Sequence, residues 1–341
     1  MLNKINYRTL LGFAGSGILL WLTFHNSGLT FRDIVLTHQQ FFYFIIAIVL
    51  FILSVWLYSI RAKLFWLNEK KKFNDIDTYN SLIIGNFYNC LLPGNLGEGV
   101  RAWHFNRKNQ VPFLRSLSAI ISEKWIDAQL FFLLSLIIFL LKPIINHFIL
   151  VAIALTSAIA LLLSITYYLM VNYRSFEKKI GLITLLLKKT GRILFRIYWH
   201  TKNHLSNVKK NGLLGYYLIL CFSILFLNIS QFYFLLNAAG VQFPVGGWYT
   251  AYLAALSMMI IVIVPSAPSN IGVMHYGIYS ALILSARQYG IEPDEANLQS
   301  FARFAIYVHL SYVIPEVLMG VFFVIKERKI IFEKRIKDNP F

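Results

Sequence analysis

The sequence LLPGNLGEGVRAWHF, at Leu91–Phe105, breaks an apolar segment with proline, glycine and asparagine and then continues into charged residues. A second apolar segment is broken in the same way by PSAPSNIG, at Pro265–Gly272. The apolar arms beside each break are too short to cross a bilayer, which takes about 20 residues. Non-helical backbone at membrane depth occurs only where protein or a water-filled cavity covers it. Both stretches therefore predict re-entrant helical hairpins.

The composition indicates a membrane protein. Of the 341 residues, 57% are apolar or aromatic and 14% are charged, and mean hydropathy is +0.61. Soluble domains have about 25% charged residues, so this class is excluded, and low hydrophobicity, the signature of disorder, is missing. The two cysteines, Cys90 and Cys221, lie in apolar segments and do not indicate a disulfide-rich scaffold. We expect an all-α polytopic membrane protein.

Apolar length predicts about six full transmembrane helices in addition to the two re-entrant hairpins. The predicted spans are Tyr7–Phe24, Phe41–Ile60, Ile126–Leu141 (in a helix that starts near Leu114), Ile144–Met170, Leu214–Leu236 and Phe304–Ile325.

The basic residues predict the orientation. Most of the 32 Lys and Arg residues precede the first span, follow the second span from Arg61 onward, follow the first hairpin, or lie in the 173–212 connector and the C-terminal tail. The positive-inside rule then places both termini in the cytoplasm, and we expect a bacterial inner membrane. The net charge of +17 thus indicates topology and contact with the anionic inner leaflet, not nucleic-acid binding.

The two breaks predict an inverted-topology repeat. Each half of the chain reads as two spans, a hairpin and a span, in opposite orientations, and PGNLG at Pro93–Gly97 aligns with PSNIG at Pro268–Gly272. We expect a first repeat at 1–142 and a second at 143–341, the latter including a basic cytoplasmic surface helix at 176–210. Paired broken helices indicate a transporter site near the midplane. The alternatives are two unrelated kinks that pack helices closely, and a solvated linker at 176–210.

Ionisable residues at membrane depth are the candidate functional groups, because burying a charge there is costly. Some have structural explanations: Glu123, Lys124 and Asp127 lie near a helix start where water can reach them, and Glu316 follows Pro315. His104, His275 and His309 are isolated in the sequence, which favours structural histidines over a metal site. The candidates are Glu98, Arg101, Glu123, Lys124, Asp127, Arg303 and Glu316, with Asn86 and Asn89 on the arm that enters the first hairpin.

The glycine-rich break also suggests an anion site. PGNLGEG places backbone N–H groups at the start of the next helix, and helix N-termini attract anions. Arg101, together with Arg303, is then a candidate for binding a phosphate. Inside a membrane, the abundant anion is a phospholipid headgroup.

At these residues the sequence resembles the flippase-like transmembrane domain of lysylphosphatidylglycerol synthases. The resemblance is carried by LLPGNLGEGVRAWHF, by SEKWIDAQ at Ser122–Gln129, and by the PSAPSNIG and FARFAIY…IPEVLMG stretches. The first motif of the family, Pro-Gly-x-x-Gly-Glu-x-x-Arg followed by Ser-Glu-Arg-x-x-Asp, is matched except that Lys124 replaces the second arginine. The second is matched less well: Ser269 and Asn270 replace glycines, and His275 replaces a glutamate.

The resemblance implies lipid translocation between leaflets without a cofactor, and not an enzyme. The chain ends about 16 residues after its last predicted span, so we expect no aminoacyl-lipid synthase domain. The family residues carried over are Pro93, Gly94, Gly97, Glu98, Arg101, Glu123, Asp127 and Arg303; Lys124, Asn270, Gly272 and His275 complete the expected substrate-binding set.

Three functions follow as expectations. The first is a flippase for a phospholipid or glycolipid, with no nucleotide site, so that transport is downhill or ion-coupled. The second is a membrane-embedded transferase acting on a polyprenyl-phosphate-linked or other lipid substrate, in which Glu98, Glu123 and Asp127 hold Mg²⁺. The third is a scaffold for envelope-biosynthesis enzymes. The lipid, the direction of movement and the oligomeric state are not predicted.

Overall fold

The computed structural model describes residues 7–66, 74–141, 196–197, 199–201, 203–242, 244–261, 266–328 and 331. All regular secondary structure in these ranges is helical. The main helices are α1 (Tyr7–Ser27), α2 (His38–Lys63), α3 (Asp75–Leu91), α4 (Gly97–Asn109), α5 (Phe113–Leu141), α6 (Leu214–Ala239), α7 (Trp248–Ile261), α8 (Val273–Gln288) and α9 (Glu295–Lys326).

Within the described ranges, three helices are long and apolar enough to cross a membrane: His38–Trp66, which is α2 with the turn after it, Leu214–Ala239 and Glu295–Lys326. They contain the predicted spans at 41–60, 214–236 and 304–325. The predicted spans at 7–24 and 126–141 lie within the helices α1 and α5. The predicted span at 144–170 and most of the predicted surface helix at 176–210 fall outside the described residues, although 203–210 are helical.

Both predicted breaks are present, and their backbones match. Short 3-10 turns at Pro93–Asn95 and Pro268–Asn270 separate α3 from α4 and α7 from α8. Gly94 and Asn95 have φ of 66° and 55°, and Ser269 and Asn270 have φ of 59° and 56°. Two successive left-handed residues after a proline cannot continue a right-handed helix, so the chain reverses at both turns.

The helices α3 and α4 form an antiparallel hairpin. The start of α3 meets the end of α4, where Lys108 Nζ lies 3.1 Å from Asp77 Oδ1 and Ser81 Oγ lies 2.9 Å from His104 Nδ1. Close to the turn, the two backbones touch at Gly85 and Gly97, where a side chain at Gly97 would place its Cβ 2.1 Å from the carbonyl oxygen of Gly85.

The helices α7 and α8 form a second hairpin, whose turn touches the first. Tyr249 Oη donates to Gln288 Oε1 at 3.3 Å, and this ties the start of α7 to the end of α8. At the other end, Asn270 Nδ2 lies 3.5 Å from Asn95 Oδ1 in the first turn. The helix α1 covers this junction, because Ser16 Oγ accepts a hydrogen bond from Ala267 N at 3.1 Å.

The helix α9 passes beside both hairpins, and its contacts locate the open end and the turn of the first one. Beyond its C-terminus, Glu327 accepts a hydrogen bond from Asn80 Nδ2 at 2.7 Å and pairs with Lys108, so this end lies at the open end of the first hairpin. In its N-terminal half, Tyr307 Oη donates to Ile34 O at 3.0 Å. The first turn lies between these two contacts, because Cys90 contacts Glu316, which is 9 residues after Tyr307 and 11 before Glu327.

Replacing Gly97 with alanine is expected to destabilise the protein by about 1–3 kcal/mol, because the added methyl group meets backbone atoms that cannot rotate away. Gly99→Ala, two residues along the same helix, is the matched control. A Cβ at Gly99 meets nothing within 4 Å, so this change should leave stability equal or slightly higher. Apparent melting temperatures in detergent measure the stability of both variants. An equal decrease in the two variants would contradict the close contact between α3 and α4.

Stability should also depend on pH through Glu327, which lies outside the membrane-spanning part of α9. Burial raises the pKa of Glu327, but hydrogen bonds from Lys108 and Asn80 outweigh it, and the net pKa is lowered. A lowered folded pKa contributes stability that is present above the unfolded value, about 4.3 for Glu, and is lost as pH falls through the folded value. The Glu327→Gln variant should therefore have a lower melting temperature than the parent protein at neutral pH. Its melting temperature should also fall less when the pH is lowered.

The exposed Glu292→Gln change is the control for this titration, because its side chain is 83% exposed. It should keep the acid dependence of the parent protein. An unchanged acid dependence in Glu327→Gln would contradict the assigned role.

Candidate functional site

Arg101 lies at the centre of the charged cluster that the first motif predicts. It points from the first turns of α4 towards α5, where its Nη2 lies 3.0 Å from Glu123 Oε2 and 3.2 Å from Oε1. The Arg101 and Glu123 side chains are 7% and 3% exposed. A buried ion pair with two hydrogen-bonding contacts is stable only because each charge neutralises the other.

Glu98 and Lys124 extend the cluster towards the surface. Glu98, one turn before Arg101, has its Oε2 3.8 Å from Arg101 Nη1 and its Oε1 3.0 Å from Lys124 Nζ. The Lys124 side chain is 61% exposed, so the series runs from buried Glu123 to a solvent-accessible ammonium. The 3.8 Å separation exceeds hydrogen-bonding distance, so Glu98 holds the Nη1 side of Arg101 less tightly than Glu123 holds the Nη2 side.

A small cavity with both polar and apolar lining adjoins the buried pair. It has a volume of about 20 Å³, enough for about one water molecule. Its polar lining comes from α3, α4 and α5: Thr78, Ser81, Arg101, Ser116 and Glu123.

Asp127 has a separate partner that sequence reasoning missed. Arg61 at the end of α2 is fully buried, and its Nη2 donates to Asp127 Oδ2 at 3.0 Å. The guanidinium also lies 4.8 Å from the centre of the Tyr58 ring. The sequence predicts Arg61 as one of the charges that set topology, because it follows an apolar span. Its partner is 66 residues away, so no local pattern identifies the pair.

The motif residues Pro93, Gly94 and Gly97 shape the backbone. Pro93 begins the turn, Gly94 takes a positive φ, and Gly97 allows α4 to touch α3. As the acid in the first turn of α4, Glu98 is also stabilised by the positive end of the helix dipole. This carboxylate occupies part of the position that the sequence suggests for an anion.

The second turn contributes Asn270, Gly272 and His275. Asn270 Oδ1 accepts a hydrogen bond from Ser266 Oγ at 2.5 Å, and its Nδ2 faces Asn95. Gly272 has φ of 80° and lies so close to α1 that a Cβ would fall 1.8 Å from Ser16 O. Next to it, His275 Nδ1 accepts from Gly272 N at 3.3 Å, and its ring stacks on His309 at 4.8 Å.

Arg303 lies elsewhere, which corrects the expectation that it shares a phosphate with Arg101. Its Nη1 donates to Ala239 O at 3.3 Å, at the end of α6. Arg303 and Glu327 are 24 residues apart, which corresponds to about 36 Å of helix. Glu327 meets His104, one turn from Arg101, so Arg303 and Arg101 lie close to opposite ends of the molecule. Glu316, the other candidate on α9, meets Cys90 in the described structure.

The Arg61–Asp127 pair should be structurally essential. Asp127→Asn leaves a buried arginine charge without a counterion, a change that typically costs about 3–5 kcal/mol. Lys63→Gln is the matched control, because Lys63 pairs with Asp75 at 2.8 Å only two residues later in α2, with both side chains partly exposed. Such exposed pairs contribute about 0–1 kcal/mol. Unfolding in detergent measures the stability of both variants. An equal loss of stability in Asp127→Asn and Lys63→Gln would contradict the structural role of the Arg61–Asp127 pair.

The comparisons with known proteins identify the family of the chain. The family described as lysylphosphatidylglycerol synthase TM region matches residues 9–314. No curated protein and no solved structure matches the chain significantly. The match covers most of the 341 residues and includes both turns and the Arg101–Glu123 pair. With its apolar helices of membrane-spanning length, the chain is a membrane protein that belongs to the lysylphosphatidylglycerol synthase transmembrane family.

Proposed function

We propose that the protein is a lipid flippase that moves the headgroup of a phospholipid or glycolipid between leaflets. The observation that carries this proposal is the buried Arg101–Glu123 pair, which borders a small cavity between α3, α4 and α5. A guanidinium inside a membrane is suited to a phosphate, which it binds through two parallel N–H groups. In this proposal the acyl chains stay in the bilayer while the headgroup passes through the polar interior.

The proposed architecture is an inverted repeat with two re-entrant hairpins. The matching φ angles of the two turns, and the contact between Asn95 and Asn270, support a common origin for the two halves. The ends of the first hairpin lie by Glu327, and those of the second lie by Tyr249, whose neighbour Trp248 stacks on Tyr233 of α6 at 4.4 Å. These contacts support entry from opposite faces; the proposal adds six full spans around the hairpins.

The proposed topology places both termini in the cytoplasm of a bacterial cell, with the chain in the inner membrane. Several contacts at one end of the molecule support it, because they gather connections that are rich in basic residues. Lys63 pairs with Asp75, Lys108 pairs with Asp77, and Glu327 follows the last helix at the same end.

In the proposed mechanism, Arg101 binds the lipid phosphate with the Nη1 side that Glu98 holds only loosely. Glu98 and Glu123 keep the site neutral when no lipid is bound, or meet a cationic headgroup. The headgroup then passes the residues at and after the second turn: Asn270, Gly272 and His275. A cavity of about 20 Å³ is too small for a headgroup, so transport requires that α4 and α5 separate as one repeat rocks against the other.

Loss of the central pair should stop transport without unfolding the protein. The double change Arg101→Gln with Glu123→Gln removes both buried charges together, so that neither is left without a partner. We expect lipid movement to fall at least about tenfold, because a hydrogen bond to a charged group contributes about 1.5–3 kcal/mol. The assay follows labelled anionic, zwitterionic and cationic phospholipids and a glycolipid in vesicles, with a quencher confined to the outside.

Arg107→Gln is the matched control, because Arg107 lies on the same helix and stacks on Trp103 at 4.9 Å. Parent protein that moves none of these lipids faster than empty vesicles contradicts the flippase proposal. A metal-dependent lipid product in the same vesicles would favour the transferase. Unchanged function of the double variant in cells would favour a scaffold for envelope-synthesis enzymes.

A further inference from the structure

Glu316 lies in the middle of the last predicted span, on the side of α9 that faces the protein. It is 12 residues from Phe304 and 9 from Ile325, the two ends of that span. The exposed apolar face of α9 includes Ile314, Leu318 and Phe322. With 3.6 residues per turn, Glu316 projects from roughly the opposite side of the helix. An acid at the midplane thus faces the interior and not the lipid.

The position of Glu316 is where both broken helices meet. Cys90, the last residue but one of α3, donates its Sγ–H to Glu316 Oε2 at 3.1 Å. Ser269 in the second turn also acts on the same thiol through its hydroxyl. One carboxyl group therefore contacts the first hairpin directly and the second through a single side chain.

Glu316 forms no ion pair with any described residue, unlike the carboxylates of the charged cluster. Lys124, the lysine that acts on it electrostatically, has its ammonium 3.0 Å from Glu98 Oε1. A thiol is a weak donor and does not neutralise a carboxylate. A carboxyl group in such a place favours the neutral, protonated form while it is buried, and it releases the proton when water reaches it.

We propose that Glu316 is the proton-binding site that couples lipid movement to a proton gradient. This inference rests on the proposed flippase function and names its coupling ion. In the step, the Glu316 carboxylate takes a proton from water on one side, forming an O–H bond, and later releases the same proton to water on the other side. The neutral acid allows the two turns to pack against α9, whereas the carboxylate draws in water and favours their separation.

The titratable and charged groups that act on Glu316 come from four helices. Cys90 on α3 donates to it, Glu98 on α4 and Lys124 on α5 act at longer range, and Tyr312 lies one turn away on α9 itself. The Glu98 and Lys124 charges oppose each other because they are paired. Changes in the charge of Glu316 are therefore governed mainly by its own burial and by access of water to the junction of the turns.

The transport test uses the full-length protein in vesicles with an imposed pH difference and a labelled phospholipid. We expect the gradient to accelerate net lipid movement by the parent protein. In Glu316→Gln this acceleration should be lost, while exchange of lipid at equal pH persists. Glu292→Gln, a change of an exposed carboxylate, should behave like the parent protein. Gradient-independent movement by the parent, or full gradient dependence in Glu316→Gln, overturns the coupling proposal and leaves the flippase proposal intact.

A second measurement does not depend on transport. Infrared difference spectra of the purified protein, recorded during a pH titration, report the carbonyl stretch of protonated carboxylic acids. We expect a band that titrates in the parent and in Glu292→Gln and is lost in Glu316→Gln. If the parent moves no lipid, the flippase proposal fails, and this band alone decides whether Glu316 binds a proton. A spectrum that is the same in the parent and in Glu316→Gln overturns the proton site.

Discussion

The structure depends on one constraint: a helix that is broken at membrane depth must have its free backbone groups covered by protein. Each of the two turns reverses the chain with successive residues of positive φ. Neither turn is covered by its own hairpin alone. They meet each other through Asn95 and Asn270, α1 contributes Ser16, and α9 passes beside the junction. The arrangement of α1, α9 and both hairpins follows from this mutual covering.

The buried charges obey a related constraint, since each must be neutralised where it lies. Two arginines from different helices meet two acids on successive turns of α5: Arg101 meets Glu123, and Arg61 meets Asp127. These pairs hold α2, α4 and α5 together in the described structure. Of these two pairs, only Arg101–Glu123 borders the cavity, and Glu98 holds Arg101 loosely on its other side. The Arg61–Asp127 pair therefore has a structural role, and the Arg101–Glu123 pair has the proposed binding role.

Sequence reasoning predicted well the features that are encoded locally. Proline and glycine in an apolar run predict a chain reversal, because they remove hydrogen bonds or permit positive φ, and both turns follow from this. The three membrane-length helices of the described residues follow from apolar length. The motif resemblance also named Glu98, Arg101 and Glu123 as candidate residues, and the structure brings these three side chains together. The role of Arg61 and the position of Arg303 were not, because each depends on contacts with residues far away along the chain.

The sequence by itself determined that this is an all-α membrane protein with two interrupted helices, because hydrophobic length and backbone-breaking residues act over a few turns. The tertiary structure alone decided which charges pair and where they lie. A buried charge is stabilised by whichever opposite charge packing brings within hydrogen-bonding distance, and spacing along the chain does not specify that partner. For the same reason Glu316 gained its position at the junction of both turns only when α9 packed against them.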